Sequence, residues 1–365
     1  MKILTILGTR PEIIRLSLII RKLDRWAEKH VLVHTGQNYT ESLSGQFFRE
    51  LGLRKPDYVL QEKAGSLGSQ LSAMFSSMEE ILLREQPDRV LLLGDTNSAL
   101  CAVMAERLGF PVVHMEAGNR CFDLDVPEEK NRKIIDAISS INMPYTEQSK
   151  QHLLREGFPV QRIILTGNPI YEVMKHYDPQ INSSDILTKL GLSKNGYFLV
   201  TAHRAENVDH APHLKAILEG LHRIAERFGQ RMICSLHPRT ATKIAAFPEI
   251  SLHPLIELHE PFGFFDFVHL ECHARCVLTD SGTVQEECCV LQVPTVTMRR
   301  TTERPETVDC GSNVVSGLDG SAIERATVLM TEMNKGWLCP AGYLVEDVSD
   351  KVVKYLLGGE RHVQK

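Results

Sequence analysis

The sequence predicts an α/β protein built as two doubly wound parallel sheets facing a central cleft. Three observations lead there. Short apolar runs alternate with amphipathic stretches, the alternation restarts past the middle of the chain, and polar clusters stand directly behind the apolar runs. At 365 residues the chain is long for one domain and comfortable for two.

In the first half, residues 2–7 (KILTIL), 30–34 (HVLVH), 89–93 (RVLLL) and 112–115 (VVHM) read as buried parallel strands. Residues 11–24, 67–86 and 97–108 carry helical spacing between them. In the second half, 197–201 (YFLVT), 231–236 (RMICSL), 276–279 and 295–298 read as strands, with helices at 211–228, 283–291 and 319–334. Thr166-Gly167-Asn168-Pro169 interrupts the periodicity and sets the expected boundary, giving domains 1–168 and 169–345. Residues 178–196 are expected to be loop-rich. The last apolar helix, about 346–357, suits either domain.

Composition narrows the function. Hydrophobic residues make up 43% and charged residues 24%, which is ordinary for a globular protein. A net charge of -5 supplies no basic field, so neither nucleic acid nor anionic membrane is the expected partner. No apolar run approaches the roughly 18 residues of a membrane span. The opening MKILTILGTRPE reads as a first buried strand rather than a signal peptide. Nine scattered cysteines suit free thiols in a reducing, cytoplasmic compartment. The segment Glu271-Cys272-His273-Ala274-Arg275-Cys276 offers three ligands where a closed zinc site needs about four, so no metal is expected and the thiols read as packed.

Ligands of such folds bind outside the carboxyl ends of the strands, so polar groups just after a strand carry the functional weight. Gly8-Thr9-Arg10-Pro11-Glu12 follows the first strand and lacks a dinucleotide fingerprint. It is either an anion cradle, with Arg10 as a phosphate fork, or an ordinary strand-to-helix turn. Asp95, in Gly94-Asp95-Thr96-Asn97, either caps the next helix or faces the cleft. Glu116 lies directly behind an apolar run, which is costly without a partner or a task. Pro127-Glu128-Glu129 resembles a helix first turn, which accounts for Glu129 better than for Glu128.

In the second half His203, Arg204 and Glu206 follow one strand, and His237-Pro238-Arg239 follows another. Two histidines at equivalent strand ends, each with an arginine, favour an anion-binding wall. Ser281, Gly282 and Thr283 open a helix and can present hydroxyl and N–H groups to a phosphate, or act as a plain N-cap. Glu287, one turn in, suits a ribose diol, and Arg304 lies in another charged loop, Thr302-Glu303-Arg304-Pro305-Glu306. Together these clusters describe a nucleoside diphosphate held mainly by the second domain, with acids of the first domain facing its reacting group.

At these residues the chain resembles the non-hydrolysing UDP-N-acetylglucosamine 2-epimerase family. GTRPE, GDTNS, EAG, PEEKNR, HRAEN, HPRT, DSGTVQEE and TTERPE occur in the family's order over about positions 8 to 306. The resemblance implies two Rossmann-like domains shared with GT-B glycosyltransferases and a C-terminal helix, 346–365, that crosses back to the first domain. It also implies a homodimer, no metal or nicotinamide cofactor, and a UDP-sugar substrate. The implied reaction removes the carbon 2 proton while UDP leaves carbon 1, forming a 2-acetamidoglucal; UDP then adds back with protonation on the opposite face. By resemblance Asp95, Glu116 and Glu128 match the catalytic acids and His203 the active-site histidine. Arg10, His237, Ser281, Gly282 and Glu287 match positions that hold UDP, and Arg132 matches a sugar-site arginine.

Three departures stand out. Arg15 occupies a position usually Lys in members acting on UDP-N-acetylglucosamine. Asn119 replaces a common Leu, beside the differing pair Cys121-Phe122. Gln37-Asn38-Tyr39 lacks the Gln-His pair of a regulatory site. EAGNRCFD and PFGFFD look closer to a branch forming UDP-N-acetyl-L-fucosamine from a UDP-2-acetamido-2,6-dideoxy-L-talose, with Phe122, Phe264 and Phe265 suited to a methyl group or to packing. The alternatives are epimerisation of UDP-N-acetylglucosamine to UDP-N-acetylmannosamine, a GT-B glycosyltransferase, a hydrolysing epimerase and a non-catalytic nucleotide-sugar binder.

Overall fold

The computed structural model describes residues 1–36, 45–60, 65–236, 238–245, 252–333 and 336–358, without the side chains of 205, 206, 238, 239, 241 and 245. The chain forms two compact units, Met1–Lys175 with Ala341–Lys365, and His176–Pro340.

Among the described residues the first unit holds six parallel strands: β1 (Lys2–Leu7), β2 (Lys29–His34), β3 (Tyr58–Val59), β4 (Arg89–Leu93), β5 (Val112–Met115) and β6 (Ile141–Met143), in the order β3-β2-β1-β4-β5-β6. The order reverses between β1 and β4, so the turns after Leu7 and Leu93 open at a topological switch point. The apolar strands are covered on one face by the helix Leu67–Glu85 and the segment Ala99–Ala105, whose Ala99, Ala102 and Ala105 let the backbone approach the sheet closely. The second unit repeats the plan with β7 (Tyr197–Thr201), β8 (Arg231–Ser235), β9 (Ile256–His259), β10 (Cys276–Thr279), β11 (Thr295–Thr297) and β12 (Asn313–Val315). Its order is β12-β11-β10-β7-β8-β9, with the switch between β7 and β10. Helices Ala211–Phe228 and Gly320–Glu332 pack on one face of that sheet through Leu214, Ile217, Leu221, Ile224, Ile323 and Ala326.

Several expectations need correction. The edge strands β3, β6, β9 and β12 were not predicted: two to four residues are too few to establish a period. Segment 97–108 opens as a 3-10 turn, Asn97–Leu100, before the helix Cys101–Arg107. The loop-rich stretch 178–196 contains two short helices, Asp178–Asn182 and Ile186–Leu190, packed by Ile181 and Ile186. The last helix, Val348–Gly358, packs on Arg10–Trp26 in the first unit. No helix among the described residues is long and apolar enough to cross a membrane. All nine cysteines are free; Cys276 lies buried on β10 and Cys272 lies half-buried at the end of the helix Phe264–His273.

Candidate active site

In the first unit, β1 runs into Gly8, where a Cβ would lie 2.1 Å from Ser98 Oγ and 2.3 Å from Thr35 Oγ1, so any larger residue would have to displace those hydroxyls. The N–H groups of Gly8 and Thr9 donate to Glu12 Oε2 at 2.5 and 3.0 Å, and Thr96 Oγ1 donates to Glu12 Oε1 at 2.7 Å. Two N–H groups of the turn thus bind the chain's own carboxylate. Burial outweighs those three donors and, with Asp95 nearby, pushes the Glu12 carboxyl up to about 7. Arg10 remains at the helix start, its guanidinium 5.7 Å from the centre of the Phe47 ring.

Asp95 follows β4 and Glu116 follows β5. Asp95 Oδ2 accepts from Arg132 Nε at 2.8 Å and lies 2.5 Å from a terminal nitrogen of the same guanidinium. Glu116 has φ 69°, a left-handed conformation that costs a non-glycine residue energy. Its carboxylate pairs with Arg15, and the Arg15 guanidinium stands over Tyr145 at 5.9 Å. Both members of that pair are buried, so a planar fork rather than an ammonium meets the carboxylate here. Glu128 is half-buried on the first turn of the helix Pro127–Ile138, four residues before Arg132. The structure thus places Asp95 with Arg132 and Glu116 with Arg15 at neighbouring strand ends.

Glu129 stands on the first turn of the helix Pro127–Ile138, as expected, and faces inward. It is wholly buried, pairs with Arg132 at 2.8 Å and accepts from the N–H groups of Cys121 and Phe122 at 3.0 and 3.2 Å. Burial acts to raise its carboxyl, and the Cys121 N–H and the Arg132 charge more than offset that, holding it below the ordinary value. Asn119 is buried and its Oδ1 accepts from Ser149 Oγ at 2.8 Å. Phe122 is 67% exposed, with its ring edge-on to His152, while Asp123 forms a local turn with the Asp125 N–H. Phe264 is no loop residue: it opens a helix and is buried against Tyr177.

In the second unit, buried Asp280 after β10 organises the turn after β7. Its carboxylate accepts from the N–H groups of His203 and Arg204, each at 3.0 Å, and from Asn207 Nδ2 at 3.1 Å. His203 Nδ1 lies 3.3 Å from it, with the imidazole 45% exposed. Arg204 donates to the Asp280 carbonyl at 3.1 Å and to Glu303 at 2.9 Å, and Arg299 meets Glu303 at 2.7 Å. Gly282 lies under Glu303, where a Cβ would stand 2.5 Å from Oε1. Arg304 pairs with Glu286.

Ser281 and Thr283 are half-buried at the start of the helix Gly282–Leu291. Glu287 is buried one turn in and hydrogen-bonds the wholly buried Glu271, whose carboxyl is raised well above the ordinary value by burial and then by Glu287. His237, the Glu206 side chain and Gln37-Asn38-Tyr39 lie outside the described residues.

Sequence reasoning brought forward the strand-end residues but missed Glu12, Asp280, Glu303 and Glu271. The Thr9-to-Glu12 spacing is that of a capping box and was a usable signal for the first. Asp280 stands directly behind a strand, so the same rule that selected Asp95 applies to it. Glu303 and Glu271 announce themselves only through tertiary partners.

A family model described as UDP-N-acetylglucosamine 2-epimerase matches residues 21–357. The chain is 41% identical over 350 residues to the UDP-N-acetylglucosamine 2-epimerase of Methanocaldococcus jannaschii, covering 94% of this chain and 95% of that one. It is 35% identical over 364 residues to the UDP-2,3-diacetamido-2,3-dideoxy-D-glucuronate 2-epimerase of Pseudomonas aeruginosa, covering 98% and 99%. The crystal structure of the M. jannaschii enzyme in complex with UDP-GlcNAc and UDP is similar with a TM-score of 0.92, 40% identity, and coverage of 98% and 99%. The Neisseria meningitidis UDP-GlcNAc 2-epimerase bound to UDP-GlcNAc is similar with a TM-score of 0.88, 29% identity, and coverage of 98% and 100%. Two six-stranded parallel sheets of this order are the GT-B-like fold of those structures. The chain is an isomerase that belongs to the UDP-N-acetylglucosamine 2-epimerase family.

Proposed function

We propose that this chain inverts carbon 2 of a UDP-2-acetamido sugar by eliminating UDP and adding it back. The observation that carries the reading is the pairing of strand-end carboxylates with buried arginines, Asp95 with Arg132 and Glu116 with Arg15. Ion pairs of this kind fix the carboxylates in place, and general acid–base catalysis needs carboxylates held in position. A base takes the carbon 2 proton, the C–H electrons form the C1–C2 double bond, and the C1–O bond electrons leave with UDP. Protonation of carbon 2 on the other face and return of UDP to carbon 1 complete the inversion. Asp95, Glu116 and Glu128 share the acid and base roles. His203 serves with them as the active-site histidine. In the second unit, Ser281, Gly282 and Glu287 hold UDP, together with Arg204, Thr283, Arg304, Glu206 and His237.

For the sugar, we propose the 6-deoxy-L-talose series, giving UDP-N-acetyl-L-fucosamine. Arg15 in place of Lys, set against Glu116, and the Asn119-Arg120-Cys121-Phe122 turn support it. The second reading, UDP-N-acetylglucosamine, is favoured by the likeness to the M. jannaschii UDP-N-acetylglucosamine 2-epimerase. Incubation of each UDP-sugar in deuterated water decides between them: the true substrate epimerises and gains deuterium at carbon 2. Failure of both sugars to exchange sinks the epimerase reading; transfer to an acceptor or release of free sugar would assign a transferase or a hydrolysing enzyme. Glu116→Gln and Asp95→Asn should each slow turnover by about 10²–10⁴-fold with UDP affinity kept.

A further inference from the structure

His114 is the third residue of β5, wholly buried, two residues before Glu116. Its Nε2 lies 2.9 Å from the carbonyl oxygen of Gly94, and its Nδ1 lies 2.9 Å from Asp136 Oδ1. A carbonyl oxygen only accepts, so Nε2 carries a hydrogen. Asp136 is equally buried; its Oδ2 accepts from the Gly118 N–H at 3.1 Å and lies 2.8 Å from the Arg120 guanidinium. The Arg120 guanidinium and the Gly118 N–H, both on Oδ2, mark Asp136 as a carboxylate. A carboxylate also only accepts, so Nδ1 carries a hydrogen as well.

We propose that His114 is a buried imidazolium that ties the Gly94-Asp95 turn to the Glu116-to-Gly118 turn, making it a positioning residue for Asp95 and Glu116. The role rests on the reading of those two carboxylates as proton-transfer groups. Gly94, Glu116 and Gly118 all have left-handed backbones, φ 83°, 69° and 78°. Such conformations persist where surrounding bonds over-determine them, and His114 with Asp136 supplies a bond to each turn. The charges facing the ring balance. Asp136 approaches from the helix Pro127–Ile138 and Arg120 from the turn after β5; Arg120 in turn grips Glu156 at 2.9 and 2.6 Å. Counting Glu156, which reaches the surface, two cations and two carboxylates leave the cluster neutral. On the sheet, His114 is flanked by Leu92 of β4 and Asn142 of β6, both uncharged.

The direct test is a long-range proton–nitrogen spectrum of the full-length protein labelled with nitrogen-15 histidine, with His114 assigned by loss of its signals in His114→Gln. Hydrogen on both ring nitrogens at neutral pH is the expected result; one bare ring nitrogen overturns the proposal. The functional test compares His114→Gln, which keeps only one donor group, and Asp136→Asn, which keeps shape without charge. Both should lower kcat by about 10- to 100-fold, because small misplacements of reacting groups are costly, with KM and UDP affinity changed by less than about threefold. Near wild-type kcat in a folded His114→Gln overturns the positioning role, and the spectrum of the unsubstituted protein decides if neither variant folds. A doubly protonated His114 in a protein that exchanges no carbon 2 proton would sink the carboxylate reading and leave the tether standing. A bare ring nitrogen in an exchanging protein would sink the tether alone.

Discussion

Glu12 sets burial against hydrogen bonding within one side chain. Its carboxyl is about 7 in the folded protein against 4.5 for the ordinary group, with burial as the largest cause. Between those values the folded state binds the extra proton, so stability falls as pH rises from about 4.5 to about 7 and levels off above. The whole effect is about 3 kcal/mol at most, at roughly 1.4 kcal/mol per pH unit. Urea midpoints taken across this range should fall in the unsubstituted protein and fall less in Glu12→Gln; equal slopes would remove Glu12 as the cause. Subtracting the variant also cancels Asp136 and Glu129, whose depressed carboxyls work the other way, losing stability as pH falls through their folded values. The same residues mark how far a sequence reaches. Thr9 and Glu12 advertise a helix start by spacing alone, but that the carboxylate also takes the Gly8 N–H needs the folded turn. Glu129 has the local signature of a dipole-facing acid, and its actual task, gripping Arg132 and the Cys121-Phe122 turn, depends on a loop that returns from eight residues earlier.

Elements long enough to show a period were legible, and so were the turns behind them. The central strands of both sheets stand where apolar runs of four to six residues put them, because a parallel strand buried on both faces tolerates little else. The edge strands escaped because pairing, not pattern, makes them strands. Close approach of elements is likewise invisible until the fold is known. Gly118 has φ 78°, and a Cβ there would stand 2.2 Å from the carbonyl oxygen of Ser149, in the helix Glu147–Arg155. Gly109 has φ 85° with nothing within 4 Å of its Cβ position. Gly109→Ala should therefore cost about 1 kcal/mol of backbone strain alone, and Gly118→Ala about 2–4 kcal/mol, since a backbone oxygen cannot swing aside. Urea denaturation of the two variants isolates the packing contribution; equal losses would show that the helix yields and that Gly118 serves only its dihedral angle.

At the scale of the molecule, the two units differ in how the chain builds them. The second is one continuous stretch, His176–Pro340, while the first needs the returning segment that starts at Ala341. That segment is anchored by Val348, Val352, Val353 and Leu356, all buried. Lys22 Nζ meets Asp350 at 2.6 Å, the Ser349 N–H donates to Glu172 at 2.8 Å, and Arg89 donates to the Leu356 carbonyl at 3.0 Å. Arg89 is the first residue of β4, the strand whose far end leads to Asp95, so the last helix clamps one end of a strand that positions a candidate-site carboxylate at the other. Sequence periodicity revealed an apolar helix there but not which sheet it covers, because an apolar face fits any apolar partner. Leu356→Ala empties a fully buried position and should cost the first unit about 2–5 kcal/mol. Limited proteolysis of the variant near its melting temperature should then cleave within residues 1–175 first, leaving a protected fragment spanning much of 176–340 that still binds UDP by calorimetry. Simultaneous loss of both halves would show that the units unfold as one cooperative body, and that the continuous second unit does not stand without the first.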